Sequence, residues 1–344
     1  MTALAPEAPA PTAKASATRT TETLGLRPGW ITIAGKELTD HLVSVRLYVL
    51  LIVLGVSAII PLYFGAERIR SLANDLSGAE AIFLALFLVG PEGNFGPIAF
   101  TVQGFVAIAA PLLGVAFAFD AVNGERHQGT LPRLLSQPIH RDDVINGKFV
   151  AGLIAITVAL VAIVALISGF GMLRLGIVPE VEEIVRLFAW LGVTVLYVAL
   201  WLAFGLLLSV VIRRAATSAL VGFGVWLFVA IPFIGPLLAQ LAGSFVANRD
   251  TPDSYYGTIQ LFERLLPGKL YSEASSALLN PSLTSVSDTC RQGYCLQQLE
   301  QLPTLLPFDQ SFLLILPHVI VLLALTIGCF ALAYVQFMRQ EVRA

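Results

Sequence analysis

The sequence predicts an all-α integral membrane protein: six transmembrane helices, a cytoplasmic amphipathic helix before the first, and a large outer loop between spans five and six. Two observations carry that reading. Of 344 residues, 56% are hydrophobic and only 13% charged, against about 25% charged in ordinary soluble domains; mean hydropathy is +0.80. The apolar residues also fall into six runs, near 47–64, 97–119, 144–173, 184–212, 216–245 and 312–338. Each run exceeds the roughly 17 residues a helix needs to cross a bilayer.

The elements follow in order. Residues 1–28 are rich in Ala, Pro and Thr and lack an apolar segment, so they read as a disordered cytoplasmic tail and not a signal peptide. In residues 29–45, Ile31, Ala34, Leu38, Leu42 and Val45 recur at helical spacing, with Lys36, Glu37, Asp40 and Ser44 opposite. That pattern predicts a helix in the membrane interface. Pro111, Pro232, Pro236 and Pro317 fall within the apolar runs, where neighbouring helices can satisfy the freed carbonyls. The apolar run 81–90 is too short to cross and is expected at the surface or re-entering.

Lys36, Arg46, Arg126, Arg133, Arg141, Lys148, Arg213, Arg214, Arg339 and Arg343 all lie near span ends on one side of this arrangement. The positive-inside rule makes that side, with both termini, cytoplasmic, and the expected location is the plasma membrane. Residues 246–310 then form the outer loop, with 29–344 as one six-span domain. Cys290 and Cys295 lie in that loop, where an oxidising environment permits them to pair. Cys329, inside the last run, reads as a small core residue.

Several function classes are excluded. A net charge of −2 does not suit a nucleic-acid binder. No Walker A loop or hydrolase motif occurs, no cofactor is implied, and His, Met and Cys are scattered, so no metal is expected. The span interiors read as almost free of ionisable groups, His318 excepted, which disfavours an ion-coupled carrier. Gln103 and Gln240 are polar positions better suited to helix–helix hydrogen bonds than to a pathway.

The informative stretch is 119–148. Gly129 ends one element, Thr130 is a good N-cap, Pro132 suits a first helical turn and Pro138 stops the helix. Leu131, Leu134 and Leu135 share its apolar face. Asp120, Glu125, Asp142 and Asp143 balance Arg126, Arg133, Arg141 and Lys148. A lipid-binding loop would be strongly basic, so this one reads as a protein-docking surface, with Glu125 pairing to Arg126, Arg133, Arg141 or a basic group of the partner.

The set Glu125-Arg126, Gly129-Thr130-Leu131, Leu134-Leu135-Ser136, Pro138, Arg141 and Gly147-Lys148 closely resembles the loop between spans two and three of type 2 ABC exporter permeases. Within them it is most similar to the nitrous-oxide-reductase-maturation and multidrug-export branches. The interface helix with Trp30, Lys36 and Glu37 matches the same family; Pro132 departs from it, where a charged or polar helix former is commoner. The resemblance implies a permease that pairs with a second copy, as homo- or heterodimer, in the lipid bilayer. Each copy would bind a separate cassette ATPase through the short helix at 130–136, flanked by the interface helix. Substrate would pass between the two permeases. The alternative is a membrane scaffold or assembly factor without transport.

Overall fold

The computed structural model describes residues 29–71, 82–89, 101–130, 140–229, 234–246, 252–283 and 305–340. Among them every regular element is a helix: α1 (Gly29–Val43), α2 (Val45–Ser71), α3 (Ile82–Leu88), α4 (Val102–Ala118), α5 (Asn123–His127), α6 (Arg141–Leu175), α7 (Val181–Val211), α8 (Ala215–Val229), α9 (Ile234–Val246), α10 (Pro252–Glu263), α11 (Pro267–Leu279) and α12 (Phe308–Arg339).

Among the described residues four helical stretches are long and apolar enough to cross a membrane: Val102–His127, Arg141–Leu175, Val181–Val211 and Phe308–Arg339. They coincide with the second, third, fourth and sixth apolar runs. The first run lies inside α2, whose 27 residues extend about 40 Å. The fifth differs from the expected single span. It contains two shorter helices, α8 of 15 residues and α9 of 13. A Cβ on Gly235 would lie 2.8 Å from the carbonyl oxygen of Phe228. Seven residues of continuous helix would separate these positions by about 10 Å, so α8 and α9 are not one continuous helix.

Helix α7 is the hub, packed against α4, α6, α11 and α12. Small residues allow the closest approach. A Cβ on Gly114 of α4 would lie 2.7 Å from Trp201 Cβ, and one on Gly205 of α7 would lie 2.9 Å from Ala118 Cβ.

The stretch expected as outer loop holds α10 and α11, and α11 is packed into the bundle against α7, α12 and α4. Leu270, Tyr271, Ala274, Ala277 and Leu278 are buried there. Trp190 Nε1 donates to Ser275 Oγ, the hydroxyls of Thr194 and Tyr271 are 2.9 Å apart, and Tyr197 stacks on Tyr271 at 4.5 Å. Gln103 Nε2 donates to Ser276 Oγ at 2.9 Å, joining α4 to α11 as a helix–helix bond. Gln240 Nε2 reaches Glu263 Oε1 at 3.0 Å.

Helix α1 forms where expected. Ile33 and Ala34 are buried and Leu38 packs against the core, while Ile31 and Leu42 are exposed. Its packing surface meets α6 at Gly147, where an added Cβ would lie 2.7 Å from Ile33 Cγ2 and 3.0 Å from the Trp30 carbonyl oxygen. Only a glycine admits so close a contact. The apolar residues left outside suit a helix lying against lipid.

Candidate coupling site

At the α1 end of the bundle, three elements converge on one ammonium group. Lys148 of α6 is only 5% exposed. Its Nζ donates to Glu125 Oε1 of α5 at 2.7 Å and lies 3.2 Å from Glu37 Oε1 of α1. A charge this buried persists only with its counter-charges in place. Glu125 therefore does pair, but with Lys148 and not with Arg126 or Arg141. Lys148 lies about two turns inside α6, whereas Arg126 and Arg141 are turned to backbone carbonyls.

Those carbonyls belong to helix ends. Arg126 Nη1 donates to Val210 O at 3.3 Å, Asn123 Nδ2 to Ile212 O at 3.2 Å and Gln340 Nε2 to Val210 O at 2.8 Å. Together they satisfy the C-terminus of α7, where carbonyls lack intrahelical partners and a cation meets the negative end of the helix dipole. Arg141 Nη1 donates to Gln340 O at 3.2 Å, tying α6 to the end of α12. Ser209 Oγ accepts from the amides of Val122 and Asn123 at 2.9 and 3.2 Å, fixing the start of α5. Gly129 has φ +69°, a left-handed turn as expected, and Thr130 Oγ1 donates to Glu125 O at 3.3 Å.

Arg46 of α2 completes the arrangement with a two-pronged contact to Asp120, 2.9 Å to Oδ1 and 2.6 Å to Oδ2. Its guanidinium also lies 5.1 Å from the centre of the Phe119 ring, a cation–π distance. Between these groups opens a cleft of ≈ 410 Å³ lined by Glu37, His41, Arg46, Asp120, Glu125 and Lys148, among others. Partial burial would lower the Lys36 amine, but the carboxylates of Glu37 and Asp40 outweigh it and hold the group above its ordinary range. Burial pushes His41 below the ordinary imidazole value, with Lys148 and Arg46 acting the same way against Glu37 and Asp120.

The remaining expected positions divide cleanly. Trp30 and Lys36 are exposed on α1, and Lys36 pairs with Glu37 and Asp40 at 3.4 and 3.3 Å. Leu131, Leu134 and Leu135, Arg133, and Cys290 with Cys295 lie outside the described residues. Cys329 is half-buried in α12 rather than a core residue. Sequence reading missed Arg46, Asp120, Asn123, Ser209 and Gln340, and it left Lys148 out of the site. A lysine beside a glycine inside an apolar run was the available signal.

The span interiors are less free of charge than expected. At the opposite end Arg186 of α7 is 1% exposed, bonded to Glu182 Oε1 at 2.9 Å and to Ser311 Oγ at 3.1 Å. Glu183 Oε1 accepts from the amide of Phe83 at 3.0 Å, holding the N-terminus of α3. His318 is not a lone interfacial group but contacts Glu273 at 2.8 Å. Among the described residues no group of three or more His, Cys, Asp and Glu could hold a metal ion.

Bilayer-length helical stretches packed around a central hub, with an ion-paired platform at one end, are the architecture of an integral membrane protein. The chain belongs to the ABC-2 transporter family: the family model described as ABC-2 family transporter protein matches residues 31–342. It is similar to the probable ABC transporter permease protein NosY of Pseudomonas aeruginosa, 31% identical over 194 residues, which are 51% of this chain and 68% of that protein. The protein of the same name from Stutzerimonas stutzeri is 32% identical over 157 residues, 43% of this chain and 55% of that one.

Proposed function

We propose that this chain is the permease subunit of an ABC exporter, working as one of a pair and driven by ATP hydrolysed in a separate cassette subunit. The observation that carries the reading is the buried Lys148, which ties α1, α5 and α6 together at 2.7 and 3.2 Å. The junction ties together α5 and α6, the helices on either side of residues 131–139 in the chain. Force applied to this loop by a closing ATPase passes directly into α6 and, through Asn123 and Arg126, into the end of α7.

The orientation follows from charge. Lys36, Arg46, Arg126, Arg141, Lys148, Arg213, Arg214 and Arg339 all belong to the α1 end, which is therefore the cytoplasmic one. Six crossings need α2 and the α8–α9 pair in addition to the four long apolar stretches; α2 has the length, and α8 with α9 supplies two apolar half-length helices. The plasma membrane is the expected location, and the permeases named NosY are a functional parallel.

The test is co-purification with a cassette ATPase. Leu134→Asp together with Leu135→Asp is expected to abolish association while the protein still inserts in the membrane. Undiminished association removes the coupling role. An associated ATPase whose turnover is never linked to movement of a substrate favours the scaffold instead.

A further inference from the structure

The charges of 119–148 balance in the sequence, but folding separates them. Asp120 pairs with Arg46 of α2 and Glu125 with Lys148, so neither neutralises Arg126. Asp142 and Asp143 stay in the first turn of α6, where the helix dipole favours them. Helix ends bring further arginines to the same place. Val210 O, in the last turn of α7, accepts from both Arg126 and Gln340. Arg339 directly precedes Gln340, and Arg213 and Arg214 directly follow Ile212, whose carbonyl accepts from Asn123. Among the described residues none of Arg126, Arg213, Arg214 and Arg339 has a carboxylate partner. Lys36, Arg46 and Lys148, at the same end, all have one.

Helix capping accounts for Arg126 and for Arg339 in the last turn of α12, but not for the other two. Arg213 and Arg214 are exposed and precede α8, at the positive end of its dipole, where a cation is disfavoured. Arg213 also lies close enough to Arg126 for the two charges to repel. An anion from outside the chain relieves both costs, and guanidinium forks match phosphate oxygens. We propose that Arg126, Arg213, Arg214 and Arg339 bind the phosphate of an anionic phospholipid, in the leaflet that meets the α1 end of the bundle. The surface beside the arginines favours a lipid over any other anion. On α12, Leu332 and Val335 are exposed and share a helical stripe with Arg339. On α8, Leu220, Val221, Leu227 and Phe228 are exposed further along the helix from Arg214. The same region thus offers acyl chains an apolar wall and a headgroup its counter-charges. An acidic protein surface would use only the arginines.

The site rests on the chain being embedded in a membrane and not on the coupling role; on the orientation proposed above, the leaflet is the cytoplasmic one. The experiment is native mass spectrometry of the full-length protein released from nanodiscs of equal phosphatidylglycerol and phosphatidylcholine with the same acyl chains. The native protein is expected to retain phosphatidylglycerol in excess. Arg213→Gln with Arg214→Gln alters exposed side chains that make no hydrogen bond or ion pair among the described residues. It should cut the excess by about fivefold for each arginine removed. Arg174→Gln, at the other end of α6, should leave it unchanged. Hydrogen exchange of residues 209–218 should be slower in phosphatidylglycerol than in phosphatidylcholine nanodiscs for the native protein alone. Glycerophosphoglycerol, the headgroup without its chains, should not reproduce that protection. The proposal is overturned by equal retention of the two lipids, by an undiminished excess in the double variant, or by full protection from the free headgroup. A double variant that keeps the lipid excess but loses a co-purifying cassette ATPase assigns the arginines to that partner instead. A double variant that loses the excess while still binding the ATPase supports the lipid site and leaves the coupling site untouched.

Discussion

The two ends of the bundle bury charge by opposite arrangements. At the α1 end one cation, Lys148, serves two carboxylates from two different helices. At the α11 end one carboxylate, Glu273, is shared by Arg264, in the turn after α10, and His318 of α12. A single shared cation makes a junction that fails when that one group is lost, because the carboxylates it held then face each other. A single shared carboxylate makes a junction that fails when Glu273 is lost, because the groups it held are then left without their common acceptor.

The largest expected effect comes from removing the shared cation. Lys148→Met leaves Glu125 without its partner and Glu37 with only the exposed Lys36; both carboxylates are half-buried, so the loss should fall at or below the low end of the about 3–5 kcal/mol of a fully buried pair. Thermal unfolding of the purified protein should show the drop, and limited proteolysis should show α1 released first. Adding Glu125→Gln to Lys148→Met should recover part of the loss, since the carboxylate left without a cation is then removed. If the double variant is as unstable as the single, the network is not what holds α1.

A smaller effect tests the packing that brings the charges together. Gly147→Ala places a methyl within 2.7 Å of Ile33 Cγ2, and overpacking of this kind costs about 1–3 kcal/mol. Gly192→Ala is the control, because a Cβ there meets nothing within 4 Å. The two variants should separate clearly in midpoint temperature, with Gly147→Ala alone increasing protease cleavage of α1. Equal behaviour would show that α1 yields freely and does not position Glu37.

What was legible in the sequence follows the same division. The runs at 97–119, 144–173, 184–212 and 312–338 announced their helices because length and hydropathy alone decide that a segment can cross a bilayer. The division of the fifth run into α8 and α9 was invisible to such a measure, since both halves are apolar. Helix α11 was hidden for the opposite reason. Ser272, Glu273, Ser275 and Ser276 make it read as a polar loop, yet each of these polar groups has a partner inside the bundle. The involvement of Glu125 was readable from its motif, but its partner was not, because Lys148 is 23 residues away and three arginines stood closer in sequence. Which part of the apolar face of α1 packs on protein was not legible, since apolar spacing cannot distinguish protein from lipid as the neighbour.

The smallest expected effect is a pH dependence at the α1 end. His41 sits in the last turn of α1, where the helix dipole favours a charged imidazole, and its ring lies 5.2 Å from Phe117. Burial nevertheless prevails and depresses its proton affinity, with Lys148 and Arg46 adding to the effect. The unfolded chain, near the ordinary value of about 6.5, then binds the proton more readily than the folded one. The stabilisation is present above that value and is lost as pH falls through the lower folded value. Thermal unfolding between about pH 7.5 and pH 5 should therefore show a modest fall in midpoint that His41→Asn reduces, while α1 stays docked through Lys148. If His41→Asn leaves the fall unchanged, the acid sensitivity does not arise at His41.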